Sequence, residues 1–370
     1  MIAKFLTFFF LLFLLSCNQM AQTAPITSGQ ALDEAPARNI ILMIGDGMGL
    51  TQVTAGMYRN GNKLNLESFP VVGLHKSYSG SSLITDSAAG ATAFASGIKT
   101  YNGAIGVNMD TVPVKTILEE AETRGMATGL ATTSSLTDAT PASFIAHSPS
   151  REWFEAIALD YLKTDIDLFI GGGMKYFAHR QSDQRNLYVE LQKEGYTVSD
   201  YQREGLSQAR LNESKNFAYF TAEEYPPTVL QGRNYLPLAS RIAVEFLGSH
   251  NRGKGFFLMI EGAQIDWGGH QNNSDYIISE MLDFDRAIGE VLKFAKEDGE
   301  TLVIVTADHE TGGYAINPGS TLDSIIPGFT TDGHTASLIP VFAFGPGAKR
   351  FAGIYENTAI YSKMKQALGM

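Results

Sequence analysis

The chain has 370 residues, with 28 basic and 39 acidic side chains, seven histidines and a single cysteine. A formal charge of −11 argues against a nucleic-acid surface built on net positive charge, and 44% hydrophobic against 18% charged residues argues against disorder. One cysteine excludes an internal disulfide framework and any multi-cysteine zinc or iron–sulfur site, so a metal would rest on histidine, carboxylate and hydroxyl groups.

At the amino end, Lys4 precedes an apolar run from Phe5 to Leu15 that only Thr7 interrupts. The run is too short to cross a bilayer as a mature helix and fits the core of a secretory signal. It ends in Leu14-Leu15-Ser16-Cys17, which resembles a bacterial lipobox with Cys17 as the lipid acceptor. A general signal peptide cleaved near Ala21 or Ala24 would leave Cys17 incidental. Residues 1–17 are therefore read as an export signal, 18–37 as a tether rich in Ala, Gln, Thr, Ser and Pro, and 38–370 as one domain. The expected location is periplasmic, with the membrane reached only through Cys17.

From Asn39 onward, apolar runs alternate with helical patterns. Asn39 to Ile44 reads as a strand buried on both faces, as do Met126–Ala131, Leu168–Ile170, Phe256–Ile260, Leu302–Val305 and Val341–Phe344. Helices are predicted over Val114–Arg124, Glu152–Lys163 with Ser150 as N-cap, Leu238–Leu247 and Tyr276–Lys296. The alternation predicts an α/β fold, a mostly parallel sheet with helices on both faces. Tyr176 to Gly232 is less regular and is expected at the sheet edge or over the site.

Polar residues gather where strands end, the edge at which open α/β sheets bind ligands. Ile44 is followed by Gly45-Asp46-Gly47-Met48-Gly49, Ile260 by Glu261, and Val305 by Thr306-Ala307-Asp308-His309. Three unpaired carboxylates at one edge would repel, and bound cations would remove that cost. Asp266 and His270 stand four positions apart, and His334 precedes another strand. Oxygen and imidazole donors without thiolate suit catalytic zinc, and an all-oxygen set suits magnesium. His75, His147, His179 and His250 lie outside these clusters and are read as structural. Ser87, in Thr85-Asp86-Ser87-Ala88-Ala89, falls at a predicted helix start, either as an ordinary cap or as a nucleophile in a positive field.

These segments resemble the alkaline phosphatase family. The resemblance is carried by Asp46-Gly47-Met48-Gly49, Thr85 to Ala89, Gly97 to Gly103, Asp138-Ala139-Thr140-Pro141-Ala142, Ser150-Arg151, Glu261 to Asp266, Asp308-His309-Glu310 and Gly333-His334-Thr335. It covers most of the chain after Asn39 and is most similar to the branch of marine and cold-living bacteria, with Trp-Gly-Gly-His after the metal aspartate. The resemblance implies an alkaline-phosphatase-like three-layer sandwich and broad phosphomonoester hydrolysis through a phosphoserine on Ser87. It implies one zinc on Asp266, His270 and His334, and a second on Asp46, Asp308, His309 and Ser87. Magnesium would share Asp46 and take Thr140 and Glu261, with Asp138 reaching it through water. Arg151 and Ser87 would bind phosphate, as would Trp267, which lacks the charge of the lysine found there in other bacterial enzymes and is expected to hold product less tightly. A homodimer is implied, and no specific nucleic-acid partner.

Two other readings stand beside this one. A phosphodiesterase or phosphonate hydrolase of the same superfamily usually lacks the Glu261 and Thr140 set. A lipid-anchored phosphate- or metal-binding protein would have no use for Ser87.

Overall fold

The computed structural model describes residues 36–212, 214–250 and 253–370. The predicted export signal, Cys17 and nearly all of the predicted tether lie outside the described residues. Ala37 does not belong to a tether. It is buried, and its N–H donates to Ala367 O at 2.7 Å.

The strands in chain order are β1 (Asn39–Gly45), β2 (Val71–Lys76), β3 (Ala127–Ser135), β4 (Leu168–Gly172), β5 (Thr197–Asp200), β6 (Phe217–Phe220) and β7 (Phe256–Gly262). They continue with β8 (Thr301–Thr306), β9 (Glu310–Thr311), β10 (Ala315–Ile316), β11 (Pro327–Gly328), β12 (His334–Thr335), β13 (Ile339–Phe344) and β14 (Gly353–Glu356). The helices are α1 (Leu50–Arg59), α2 (Ser87–Ser96), α3 (Ile117–Thr123), α4 (Ala139–Ile145), α5 (Phe154–Asp160) and α6 (Met174–Ala178). After these come α7 (Leu187–Lys193), α8 (Leu236–His250), α9 (Gln264–His270), α10 (Ser274–Asp298) and α11 (Ala359–Ala367).

Ten strands form one sheet in the order β14-β2-β13-β8-β1-β7-β3-β4-β6-β5. β13 pairs antiparallel with both β2 and β8, and the other pairings are parallel. The expected α/β architecture, mostly parallel, is what the chain adopts. β1 shows why both faces are covered. Ile40, Leu42 and Ile44 pack with Phe94, Phe144 and Phe257 on one side, while Ile41 and Met43 pack with Ile277, Met281 and Phe284 on the other. A strand's side chains alternate faces, so a continuous apolar run needs a helical layer on each.

Several boundaries differ from the sequence reading. α3 begins at Ile117 rather than Val114, because Thr116 caps Glu119 N and Glu119 bonds back to Thr116 N. α5 begins at Phe154, with no side-chain cap. Ser150 instead accepts from Glu152 N at 3.2 Å, and so Arg151 lies in a turn rather than at a helix start. The 176–232 stretch supplies β5 and β6, which complete one edge of the sheet. It also reaches the site, where Tyr225 meets the ring of Trp267 edge-on at 5.1 Å.

Candidate active site

The carboxyl ends of the central strands converge, and their polar residues arrive together. Asp46 follows β1, Glu261 is the penultimate residue of β7, and Asp308 follows β8. All three are buried. β3 leads into Asp138, the N-cap of α4, with Thr140 in the helix's first turn. Helix α9 carries both Asp266 and His270, four residues apart on one face. The small two-stranded antiparallel pairing of β9 with β12 brings His334 over the same spot, since its register pairs His334 with Thr311.

Two groups of metal-holding geometry result among the described residues: Asp266, His309 and His334, and Asp46, Asp308 and His309. His309 Nε2 lies 3.1 Å from Asp308 Oδ2, 3.4 Å from Asp46 Oδ1 and 3.2 Å from Ser87 Oγ. His270 Nε2 is 3.3 Å from Asp266 Oδ2 and 3.1 Å from His334 Nε2. His334 Nδ1 donates to Thr85 O at 2.8 Å, and His270 Nδ1 donates to Asp332 O. Each of these bonds occupies the outer ring nitrogen and leaves Nε2 free to face inward, the usual arrangement behind a metal-binding imidazole.

The electrostatics describe a site built for cations. Burial, then the neighbouring carboxylates of Asp308, Asp266 and Glu261, push Asp46 well above its ordinary range. Glu261 is pushed up to about 8, mainly by burial and further by Asp138 and Asp308, although Thr132 donates to it. Burial also acts on Asp308, but there the adjacent His309 wins and holds it below its usual value. Asp266 outweighs desolvation at His270 and raises it to about 9. Burial, reinforced by His309, lowers His334 to about 4. Asp46 Oδ1, Asp308 Oδ2 and Thr140 Oγ1 are buried with no hydrogen-bond partner. Such atoms are costly in a folded protein unless something else satisfies them, and bound divalent ions would do so.

Ser87 is the first residue of α2, and the cap is its neighbour. Asp86 accepts from Ala89 N at 3.0 Å through Oδ1, while its Oδ2 accepts from Gly103 N and from Arg151 Nη1 at 3.2 Å. With capping assigned to Asp86, the Ser87 hydroxyl is left to face the carboxylates and His309. Arg151 is gripped from a second side by Asp138, at 3.2 Å from Nη2. Burial alone would lower its pKa, but Asp138 and Asp86 raise it further than burial lowers it. The predicted residues Asp46, Ser87, Asp138, Thr140, Arg151, Glu261, Asp266, His270, Asp308, His309 and His334 therefore share one edge, with Trp267 at its rim. Sequence reasoning missed the roles of Asp86, Thr132, Glu310 and Thr311, because each acts through a partner remote in the chain.

The sequence model of the alkaline phosphatase family matches residues 37–326, and the chain belongs to that family. Its activity is the hydrolysis of phosphate monoesters. Among curated relatives, alkaline phosphatase 3 of Bacillus subtilis is 34% identical, over 90% of this chain and 89% of the relative. The Escherichia coli enzyme is 31% identical over 94% and 89%. The alkaline phosphatase of the Antarctic bacterium TAB5 matches with a TM-score of 0.84 and 45% identity, covering 90% of this chain and 98% of that one. A histidine-to-aspartate mutant of the TAB5 enzyme has Mg bound in its M3 site. The diesterase and binding-protein readings give way to this membership.

Proposed function

We propose that Ser87 is the nucleophile of a broad-specificity phosphomonoesterase holding two zinc ions and one magnesium ion. The observation that carries the reading is the Ser87 hydroxyl at a helix N-terminus, 3.2 Å from His309 Nε2 and facing buried carboxylates with unpaired oxygens. Asp266, His270 and His334 would hold one zinc, and Asp46, Asp308 and His309, with the Ser87 hydroxyl, the other. Glu261, Thr140 and Asp46 would hold magnesium beside Asp138. An aspartate at 138 favours an oxygen-rich site, and magnesium bound in a histidine-to-aspartate mutant of the TAB5 relative supports that choice. When bound, such ions neutralise the carboxylates and stabilise charge that develops on phosphate oxygens.

The chain's own residues do the rest. Arg151, fixed by Asp86 and Asp138, presents a guanidinium suited to two phosphate oxygens at once. Ser87 forms a bond to phosphorus as the ester bond breaks and the alcohol leaves. Water then displaces Ser87 from the phosphoserine and releases inorganic phosphate. Because these groups address the phosphoryl end, the alcohol contributes little to recognition. Trp267 can pack at the rim but offers phosphate no charge.

Ser87→Ala should lower monoester turnover by at least about a thousandfold and abolish covalent labelling by a phosphorylated substrate. A variant that still forms the phosphoenzyme would sink the assignment.

Cys17 is proposed as a lipid attachment point in the periplasm, read out by moving Cys17→Ser from the membrane to the soluble fraction. A homodimer is proposed through the exposed apolar side chains Tyr78, Leu83, Ile84, Met109 and Val112, beside the Ser87 loop. Asn102 Nδ2 donates to Ile84 O within that patch.

A further inference from the structure

We infer that Glu310 and Thr311, which supply no metal ligand, form a positioning pair that couples the two zinc-ligand groups. The inference rests on the metal reading above. β9 is a two-residue strand directly after His309, and consecutive strand residues point to opposite sides. Each of its side chains therefore meets a different set of partners.

Thr311 faces the ligands. Its hydroxyl donates to Asp266 Oδ1 and lies 3.2 Å from His309 Nδ1. A threonine hydroxyl has one proton, and an ionised carboxylate can only accept. With that proton committed to Asp266, the contact with His309 must run the other way, Nδ1–H donating to Oγ1. This fixes the His309 tautomer and leaves the Nε2 lone pair toward Asp46, Asp308 and Ser87. One hydroxyl thus orients Asp266 of one proposed zinc set and His309 of the other.

Glu310 faces the scaffold. Its buried carboxylate accepts from Gln52 Nε2 at 2.8 Å, from the Thr335 hydroxyl, from Gly313 N at 3.2 Å and from Tyr314 N at 3.0 Å. Gln52 also donates to Thr311 O at 2.9 Å. Gln52 belongs to α1, which follows the Asp46 turn, and Thr335 follows His334. A single carboxylate therefore ties together the segments carrying Asp46, His309 and His334. Outer-shell partners of this kind typically change metal affinity by about 10- to 100-fold when removed.

The test measures zinc retained per chain across a graded series of chelator concentrations, without reference to turnover. Thr311→Val keeps the shape and removes the hydroxyl. It should shift the half-release point of both zinc ions by about 10- to 100-fold toward lower chelator. Thr311→Ser should restore wild-type retention. Glu310→Gln, of equal size but with an amide facing donors, should also loosen both ions. Melting of the metal-free proteins separates this from a purely structural role, which would lower that melting point and leave the release curves in place. Should Thr311→Val fail to fold, Thr311→Ala and Glu310→Gln carry the test. Release curves that match wild type, or movement of only one ion, would overturn the coupling. A wild-type chain that retains no zinc would instead overturn the metal reading itself.

Discussion

His75 is fully buried on β2, its ring edge-on to Phe94 at 5.4 Å and its Nε2 donating to Ala307 O at 2.8 Å. Burial lowers its pKa to about 4 from an ordinary 6.5. Between those values the unfolded chain's imidazole takes up a proton and the folded one does not. Stability contributed by the neutral ring is therefore complete above pH 6.5 and is lost as pH falls toward 4, by up to about 3 kcal/mol. His75→Gln keeps a donor for Ala307 and does not titrate. Its denaturation midpoint should fall less steeply with acid over that window, and an unchanged slope would refute the assignment. At this scale the sequence was most informative about residues that interrupt an apolar run. Asp46, Glu261 and Asp308 stand at strand ends where no core residue needs them. The grip on Arg151 was not legible, because Asp86 lies 65 positions away. Likewise, Thr311 and Asp266 are separated by 45 positions, a span that spacing rules do not reach.

Among the elements, strands buried on both faces were legible and the edge strands were not. β2 alternates buried with partly exposed residues and contains Gly73 and His75, so no apolar run announces it. β5 and β6 are four residues each, too short for a pattern to rise above the surrounding loops. The reversal of β13 leaves no mark on its own residues, since strand direction depends on the path of the preceding chain. Helix α9 shows how packing selects residues that periodicity cannot. A Cβ on Gly269 would lie 2.8 Å from Thr311 Cβ and 2.9 Å from Thr311 O. The helix can sit this close to β9 only because position 269 has no side chain. Gly269→Ala should cost about 1–3 kcal/mol by overpacking, seen as a lower denaturant midpoint. An unchanged midpoint would mean that β9 yields freely.

The whole molecule places every candidate ligand at one end of the sheet and leaves an apolar patch beside it. Leu83 is 76% exposed and Val112 54%, unusual for side chains of this size near a polar site. If the patch is the dimer interface, Leu83→Asp should convert a dimer into a monomer in sedimentation velocity. Persistence of the dimer would point to a different surface. The overall architecture was legible because a parallel sheet needs repeated two-faced strands. The patch was not, because Leu83 and Val112 look like core residues until the fold shows that nothing covers them within the described chain.

The bond between Ala37 N and Ala367 O joins the first described segment of the chain to its last helix. It lies at the amino end of β1, and Asp46 lies at the other, about 20 Å away along a seven-residue strand. Both ends of the folded body thus emerge on the side opposite the reactive mouth. A solid support or fusion partner attached at either end would leave that mouth facing solution.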